Sequence, residues 1–117
     1  MPRKHSKIEG GYIVLPKLTI KCNQYQRLSN TTKLVYQAFL VEFIRDSKVN
    51  PLNEVTITHN QLEAYSGVGH SSVVRSVRFL KAGGFIKVLE QGGLELNPSK
   101  YQLNGRYTDS GILEARW

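Results

Sequence analysis

Residues 67–80 read GVGHSSVVRSVRFL, and two interpretations fit this stretch. Two glycines followed closely by hydroxyl side chains are typical of a loop that binds phosphate. The same glycines can instead end one helix and turn the chain into the next. The sequence on either side of the stretch decides between the two interpretations.

The neighbouring residues do not fit a phosphate-binding loop. Such a loop follows a buried strand and continues with a lysine and a hydroxyl residue, but no strand pattern precedes Gly67 and no lysine directly follows Gly69. The dinucleotide-binding fingerprint fails as well, because its third glycine is missing and no crossover to a parallel strand follows. The glycines are better explained by a turn between helices.

The sequence before the turn predicts a short helix. Thr58 is an N-cap for the segment HNQLEAYS, residues 59–66, and Gln61 stands where a capping box needs it. Gly67 ends this helix in the left-handed conformation that glycine tolerates. Val68 then supplies an apolar side chain that plugs the junction.

The sequence after the turn predicts a second helix, from about residue 70 to residue 82, which stops at two adjacent glycines. Its core-facing stripe repeats at spacings of four and three residues: Val73, Val77 and Leu80. The other faces carry polar, small and basic side chains: His70, Ser71, Ser72, Val74, Arg75 and Arg78.

A longer helix is predicted upstream, within residues 30–48, with Ser29 as its N-cap. Apolar side chains recur at helical spacing on one face: Leu34, Val35, Ala38, Val41 and Ile44. Aromatic residues widen the apolar surface, so that this helix is expected to be central. We assign four aromatic side chains of the helical segments to the core: Tyr36, Phe39, Phe43 and Tyr65.

The remaining segments predict strands. Residues 54–58, EVTIT, form a short strand candidate, and residues 85–104 predict a hairpin that turns at Gly92 and Gly93. Pro98 indicates a bulge or an edge position in the returning strand. Residues 12–22, YIVLPKLTIKC, are rich in β-branched side chains and predict extended structure.

The predicted order is helix, short strand, helix, tight turn, helix and two-stranded hairpin. This is the order of an α+β winged helix-turn-helix. A chain of 117 residues suffices for one such domain. We therefore divide the chain into a flexible basic tail at 1–10, the domain at 11–105 and a C-terminal tail at 106–117.

The charge of the chain favours an anionic partner, most commonly a nucleic acid. Sixteen Lys and Arg against nine Asp and Glu give a net charge of +7. One group of basic residues lies in the tail: Arg3, Lys4 and Lys7. Another lies between Glu63 and Glu90, a window that contains no acidic residue: Arg75, Arg78, Lys81 and Lys87.

Other function classes find little support in the sequence. The single cysteine, Cys22, excludes an intrachain disulfide and is interpreted as a small apolar residue in a reducing cytoplasm. The longest apolar runs are too short to span a bilayer, and no secretory signal is recognisable. The three histidines are dispersed, and no nucleophile is grouped with a base. We therefore expect no metal, no cofactor, no small-molecule substrate, no membrane partner and no enzymatic activity.

Several stretches resemble a known group of proteins. LEAYSGVGHSSVVRSVRFLKAGGFIKV, residues 62–88, resembles the core of bacterial winged-helix regulators and of the winged-helix domains of plasmid replication initiators. Residues 10–40, which include the Leu-Pro segment and the helix with Leu-Val-Tyr, resemble the lead-in of small winged-helix proteins of phages and plasmids. YQLN, residues 101–104, is similar to the closing strand of the same group. The resemblance implies a transcriptional regulator or a replication or copy-control factor of a mobile element.

The motif predicts how double-stranded DNA is bound. Residues 70–78 are expected to enter the major groove, with Arg75 contacting a base edge and Val74 meeting a thymine methyl group. Other side chains are expected to contact or lie near phosphates: His70, Ser71, Ser72, Arg78, Lys81, Lys87 and, from the tail, Arg3, Lys4 and Lys7. A homodimer is expected, because a second half-site adds affinity and specificity.

Two alternatives remain open at this stage. A winged helix can serve as a protein–protein adaptor, which apolar Val74 and Phe79 and the acidic hairpin tip EQGGLE, residues 90–95, would favour. RNA or single-stranded nucleic acid is the other alternative, but the sequence lacks an aromatic-rich strand on which bases could stack.

Overall fold

The computed structural model describes residues 13, 15, 17–44, 48–92, 98–104, 106–107 and 113–114. The helices are α1 (Lys17–Lys21), α2 (Asn23–Gln26), α3 (Asn30–Glu42), α4 (His59–Ser66) and α5 (His70–Ala82). The strands are β1 (Glu54–Ile57), β2 (Ile86–Glu90), β3 (Ser99–Leu103), β4 (Arg106–Tyr107) and β5 (Leu113–Glu114). An antiparallel sheet joins three strands in the order β1–β3–β2, and β4 pairs with β5. The architecture is α+β and winged-helix-like, as the sequence predicts.

Helix α3 is the central helix of the core. Ser29 caps its N-terminus as predicted, accepting a hydrogen bond from the backbone N–H of Thr32 at 3.1 Å. Tyr36 and Phe39 are fully buried, and their rings pack edge-on against Phe85 and Tyr101. Such edge-to-face pairs combine a large buried apolar area with favourable ring electrostatics. The predicted central position of this helix is confirmed.

The predicted core face of α3 is wrong in part. Val35 and Ala38 are buried, but Leu34, Val41 and Ile44 are 44%, 48% and 53% exposed. The sequence carries two apolar stripes on this helix, and the stripe with the aromatic rings faces the core. Burial of the larger side chains removes more apolar area from water, which explains this choice.

Residues 17–21 form helix α1, so the prediction of extended structure through residue 22 is wrong there. The β-branched residues predict a strand only weakly, and tertiary packing overrides such propensities. Thr19 is buried in α1, and Cys22 caps α2 through its sulfur, which accepts from the N–H of Tyr25 at 3.4 Å. Tyr25 in turn packs edge-on against Tyr36.

The turn between α4 and α5 follows the sequence closely. Thr58 and Gln61 form both hydrogen bonds of the capping box, and Gly67 ends α4 with φ of 72°. Only glycine adopts this left-handed conformation without strain. Val68 is partly buried against the core, which confirms its role at the junction. The predicted core position of Tyr65 is wrong, because its side chain is 40% exposed.

The side chain of Tyr65 lies beside the end of α3. Its hydroxyl donates to Glu42 Oε2 at 2.6 Å. This hydrogen bond raises the pKa of Tyr65, because the carboxylate accepts only from the neutral phenol.

The sheet separates an apolar face from a polar face. Val55, Tyr101 and Val88 are register partners across the three strands and face the helices. The sheet is irregular between Val88 and Glu90. Pro98 precedes β3, the central strand, so the predicted edge position is wrong and the irregularity lies in β2 instead. The predicted glycine turn extends to residue 93, which lies outside the described residues, as does the tail at 1–10.

Candidate nucleic-acid interface

Helix α5 presents a basic outer face. Val73, Val77 and Leu80 are buried, as predicted, and at 3.6 residues per turn the opposite face carries Ser71, Arg75 and Arg78. These three side chains are exposed. Lys81 is also exposed and lies one turn beyond Arg78. Arg75, Arg78 and Lys81 form no ion pair among the described residues, so their charges are available to an anionic partner.

The start of α5 is held by a contact to α4. His70 Nδ1 lies 2.9 Å from Glu63 Oε2, and the two side chains are partly exposed. The ring of His59, at the start of α4, lies with its centroid 6.0 Å from that of His70. The contact fixes the imidazole of His70 at the first turn of the helix, where backbone N–H groups favour an anion.

A groove of about 170 Å³ runs between α5 and the hairpin formed by β2 and β3. Its apolar lining comes from Val74, Val77, Val88 and Tyr101. Its polar lining comes from His59, Arg78, Lys81 and Gln91. No acidic side chain lines it within the described ranges. The groove therefore combines apolar walls with two cations and the neutral amide of Gln91.

The hairpin contributes to this groove through Val88, Gln91 and Tyr101, none of which the sequence identified as a site residue. Tyr101 is 2% exposed, and burial raises its pKa, so that its phenol stays neutral well above pH 7. The participation of Gln91 depends on the irregular pairing of β2 after Val88, which the sequence does not signal.

The two lysines of the hairpin lie on the other face of the sheet. Lys87 is the register partner of Gln102 and alternates with Val88, so it is directed away from the groove. Lys100 Nζ lies 3.7 Å from Glu54 Oε1 and 3.7 Å from Glu90 Oε2. The structure therefore does not bring Lys87 together with the cations of α5.

The remaining predicted residues divide between the groove and the opposite flank of α5. Val74 is partly buried and lines the groove. Ser72 is partly buried on the other flank, together with Phe79, which is 54% exposed. Arg3, Lys4 and Lys7 lie outside the described residues.

The described residues also bear on two other site types. They contain no group of three His, Cys, Asp or Glu side chains that could hold a metal ion. None of the described helices is both long enough and apolar enough to cross a membrane.

The chain shares its fold with a solved domain. That structure is described as "N-Terminal domain of DNA binding protein", and it superposes with a TM-score of 0.57 over 95% of this chain and 91% of the other. The two sequences are 13% identical, so the likeness concerns the fold alone. No protein-family model matches the sequence, and no curated protein matches it.

Proposed function

We propose that this protein binds double-stranded DNA in a sequence-specific manner through α5. The observation that carries the proposal is the outer face of this helix, where Arg75 and Arg78 are exposed beside Ser71 and where no carboxylate stands in the helix itself. A helix fits the major groove of B-DNA, and arginine can contact guanine at two acceptors. The fold likeness to a domain of a DNA-binding protein supports the same function.

The residues of α5 take different roles in this proposal. Arg75 lies at the centre of the exposed face and contacts a base edge, while Val74 meets a thymine methyl group. Ser71, Ser72 and Lys81 contact phosphates, and His70 lies close to one at the first turn. The basic tail adds phosphate contacts from Arg3, Lys4 and Lys7.

The biological role that we propose is regulation. The protein acts in the cytoplasm as a homodimer without enzymatic activity, either as a transcriptional regulator or as a replication or copy-control factor of a phage or plasmid. The resemblance of residues 62–88 to winged-helix regulators and replication initiators supports this role. Two copies would read two half-sites, which gives the affinity and specificity that one helix lacks.

Selection of bound sequences from a random duplex library tests the proposal. A conserved sequence among the selected duplexes supports specific binding, and a palindromic one supports the dimer. A gel shift with a random duplex at low salt is the matching test of binding itself. If the protein shifts no duplex at low salt, DNA binding is wrong.

A second candidate is a protein–protein adaptor. It is favoured by exposed apolar side chains outside the groove: Leu34, Val41, Ile44 and Phe79. Exposed apolar patches mark interaction surfaces when they are contiguous. An adaptor is expected to show no salt-dependent binding to duplex DNA, so the same gel shift separates the two functions.

A further inference from the structure

We propose that the groove between α5 and the hairpin holds one sugar-phosphate backbone of the bound duplex, and that the hairpin contacts DNA through Gln91 and Val88 rather than through its lysines. This inference rests on the proposed function and assigns the part of the DNA that the hairpin meets. It differs from the expectation from sequence, in which Lys87 contacts a phosphate.

The position of the groove relative to α5 supports this assignment. A helix with its side chains is about 10–12 Å wide and fills the major groove, which is about 12 Å wide. The backbone that separates the major groove from the minor groove then passes along the flank of the helix. Val74, Arg78 and Lys81 form that flank, and they line the groove that the hairpin closes from the other side.

The chemistry of the groove matches that of a sugar-phosphate backbone. Arg78 and Lys81 are exposed cations without an ion-pair partner among the described residues, and each can neutralise a phosphate. The amide of Gln91 adds neutral N–H donors. The aliphatic side chain of Val88 provides a surface for the apolar edge of a deoxyribose.

Lys87 lacks the position for this role, and Lys100 lacks the free charge as well. Lys87 alternates with Val88 along β2, so its side chain projects from the face of the sheet opposite the groove. Lys100 lies between the carboxylates of Glu54 and Glu90, and the three side chains together carry a negative charge. A phosphate near this cluster would be repelled rather than attracted.

Two lysines that differ only in position test the proposal. Lys81→Gln and Lys87→Gln each remove one exposed positive charge, and duplex binding of both variants and of the wild type is measured between about 50 and 200 mM salt. We expect Lys81→Gln to reduce the slope of log K against log salt by about 0.9, and Lys87→Gln to leave it unchanged. Equal reductions by the two variants would overturn the proposal.

A second pair of variants tests Gln91 directly. Gln91→Glu places a negative charge in the groove, whereas Thr56→Glu places one on the exposed outer face of the sheet, near Lys100. We expect Gln91→Glu to weaken duplex binding by about tenfold or more, because like charges brought together at an interface are strongly unfavourable. The Thr56→Glu variant should bind within about threefold of the wild type, since only screened repulsion acts on it. Equal losses of duplex binding in the two variants would contradict the assignment of the groove to the DNA backbone.

The design separates the inference from the function on which it rests. Circular dichroism and the melting temperature of each variant show that it is folded before binding is compared. If the wild type binds no duplex at low salt, the proposed function fails and the inference fails with it. If the wild type binds but the paired variants behave alike, DNA binding stands and only the groove assignment is wrong.

Discussion

Thr32 and Ser76, 44 residues apart in sequence, join the two longest helices through a buried hydrogen bond. The hydroxyl of Thr32 in α3 donates to Ser76 Oγ in α5 at 3.2 Å. Thr32 also accepts from the hydroxyl of Ser29, the N-cap of α3, at 3.0 Å. The cap of the central helix is therefore linked through Thr32 to the helix proposed to contact DNA. Ser76 is buried and Arg75 is exposed, and the two are about 100° apart around α5, so the link holds the helix in place without taking part in its basic face.

Removing this link should destabilise the fold. Thr32→Val keeps the volume of the side chain but deprives Ser76 of its donor, and we expect a loss of about 1–2 kcal/mol in the free energy of unfolding. Urea unfolding of Thr32→Val, Ser76→Ala and the double variant measures the coupling, which should be about 1 kcal/mol. Ser71→Ala, which removes an exposed hydroxyl of the same helix, is the control and should change stability by less than about 0.5 kcal/mol. Strict additivity of the two buried substitutions would contradict the role of the hydrogen bond.

Arg75→Ala should reduce sequence preference more than general affinity for DNA. If the guanidinium contacts guanine at both O6 and N7, its loss costs about 1–3 kcal/mol on the selected sequence and much less on a random duplex. Binding to both duplexes at one salt concentration gives the comparison. Arg27→Ala, which removes an exposed arginine outside α5, controls for the loss of charge. Equal weakening on both duplexes would assign Arg75 to a phosphate instead of a base.

The elements that the sequence predicts correctly are those with local causes. The capping box of Thr58 and Gln61 and the left-handed Gly67 each depend on residues within one turn of the chain. The stripe of Val73, Val77 and Leu80 has a local cause as well. Helix α5 has one strongly apolar side, so its own sequence decides which side is buried. Helix α5 and the residues on its outer face therefore follow from the sequence alone.

The features that the sequence misses depend on contacts between distant segments. Val41 fits a helical apolar stripe as well as Phe39 does, and only the packing of the rings of Tyr101 in β3 and of Phe85, directly before β2, decides which stripe is buried. Gln91 reaches the groove because β2 pairs irregularly with β3, and Lys87 is directed away because of the strand register. Neither fact can be deduced from composition or periodicity.

Removing residues 1–8 should lower the salt dependence of DNA binding. The deleted segment contains three of the sixteen Lys and Arg residues of the chain: Arg3, Lys4 and Lys7. If all three contact phosphates, the slope of log K against log salt falls by about 2.7, that is, by about 0.9 for each. The full-length variant with glutamine at these three positions should show the same decrease, which separates charge from chain length. An unchanged slope in both would show that the tail does not contact DNA.

Tyr36 should make the protein sensitive to alkaline conditions. Burial raises the pKa of its phenol above the ordinary value of about 10, with further contributions from Tyr25 and Cys22, because the core disfavours the phenolate. A pKa that is higher in the folded state than in the unfolded state gives stability that is fully present below about pH 10 and is lost as the pH rises above it. Tyr36→Phe removes this titration, so its free energy of unfolding should decline less steeply than that of the wild type above pH 10. Urea unfolding from pH 7 to pH 11 measures both curves, and deprotonation of the lysines affects the two proteins alike. Curves that stay parallel throughout would show that the Tyr36 phenol does not control the alkaline limit of the fold.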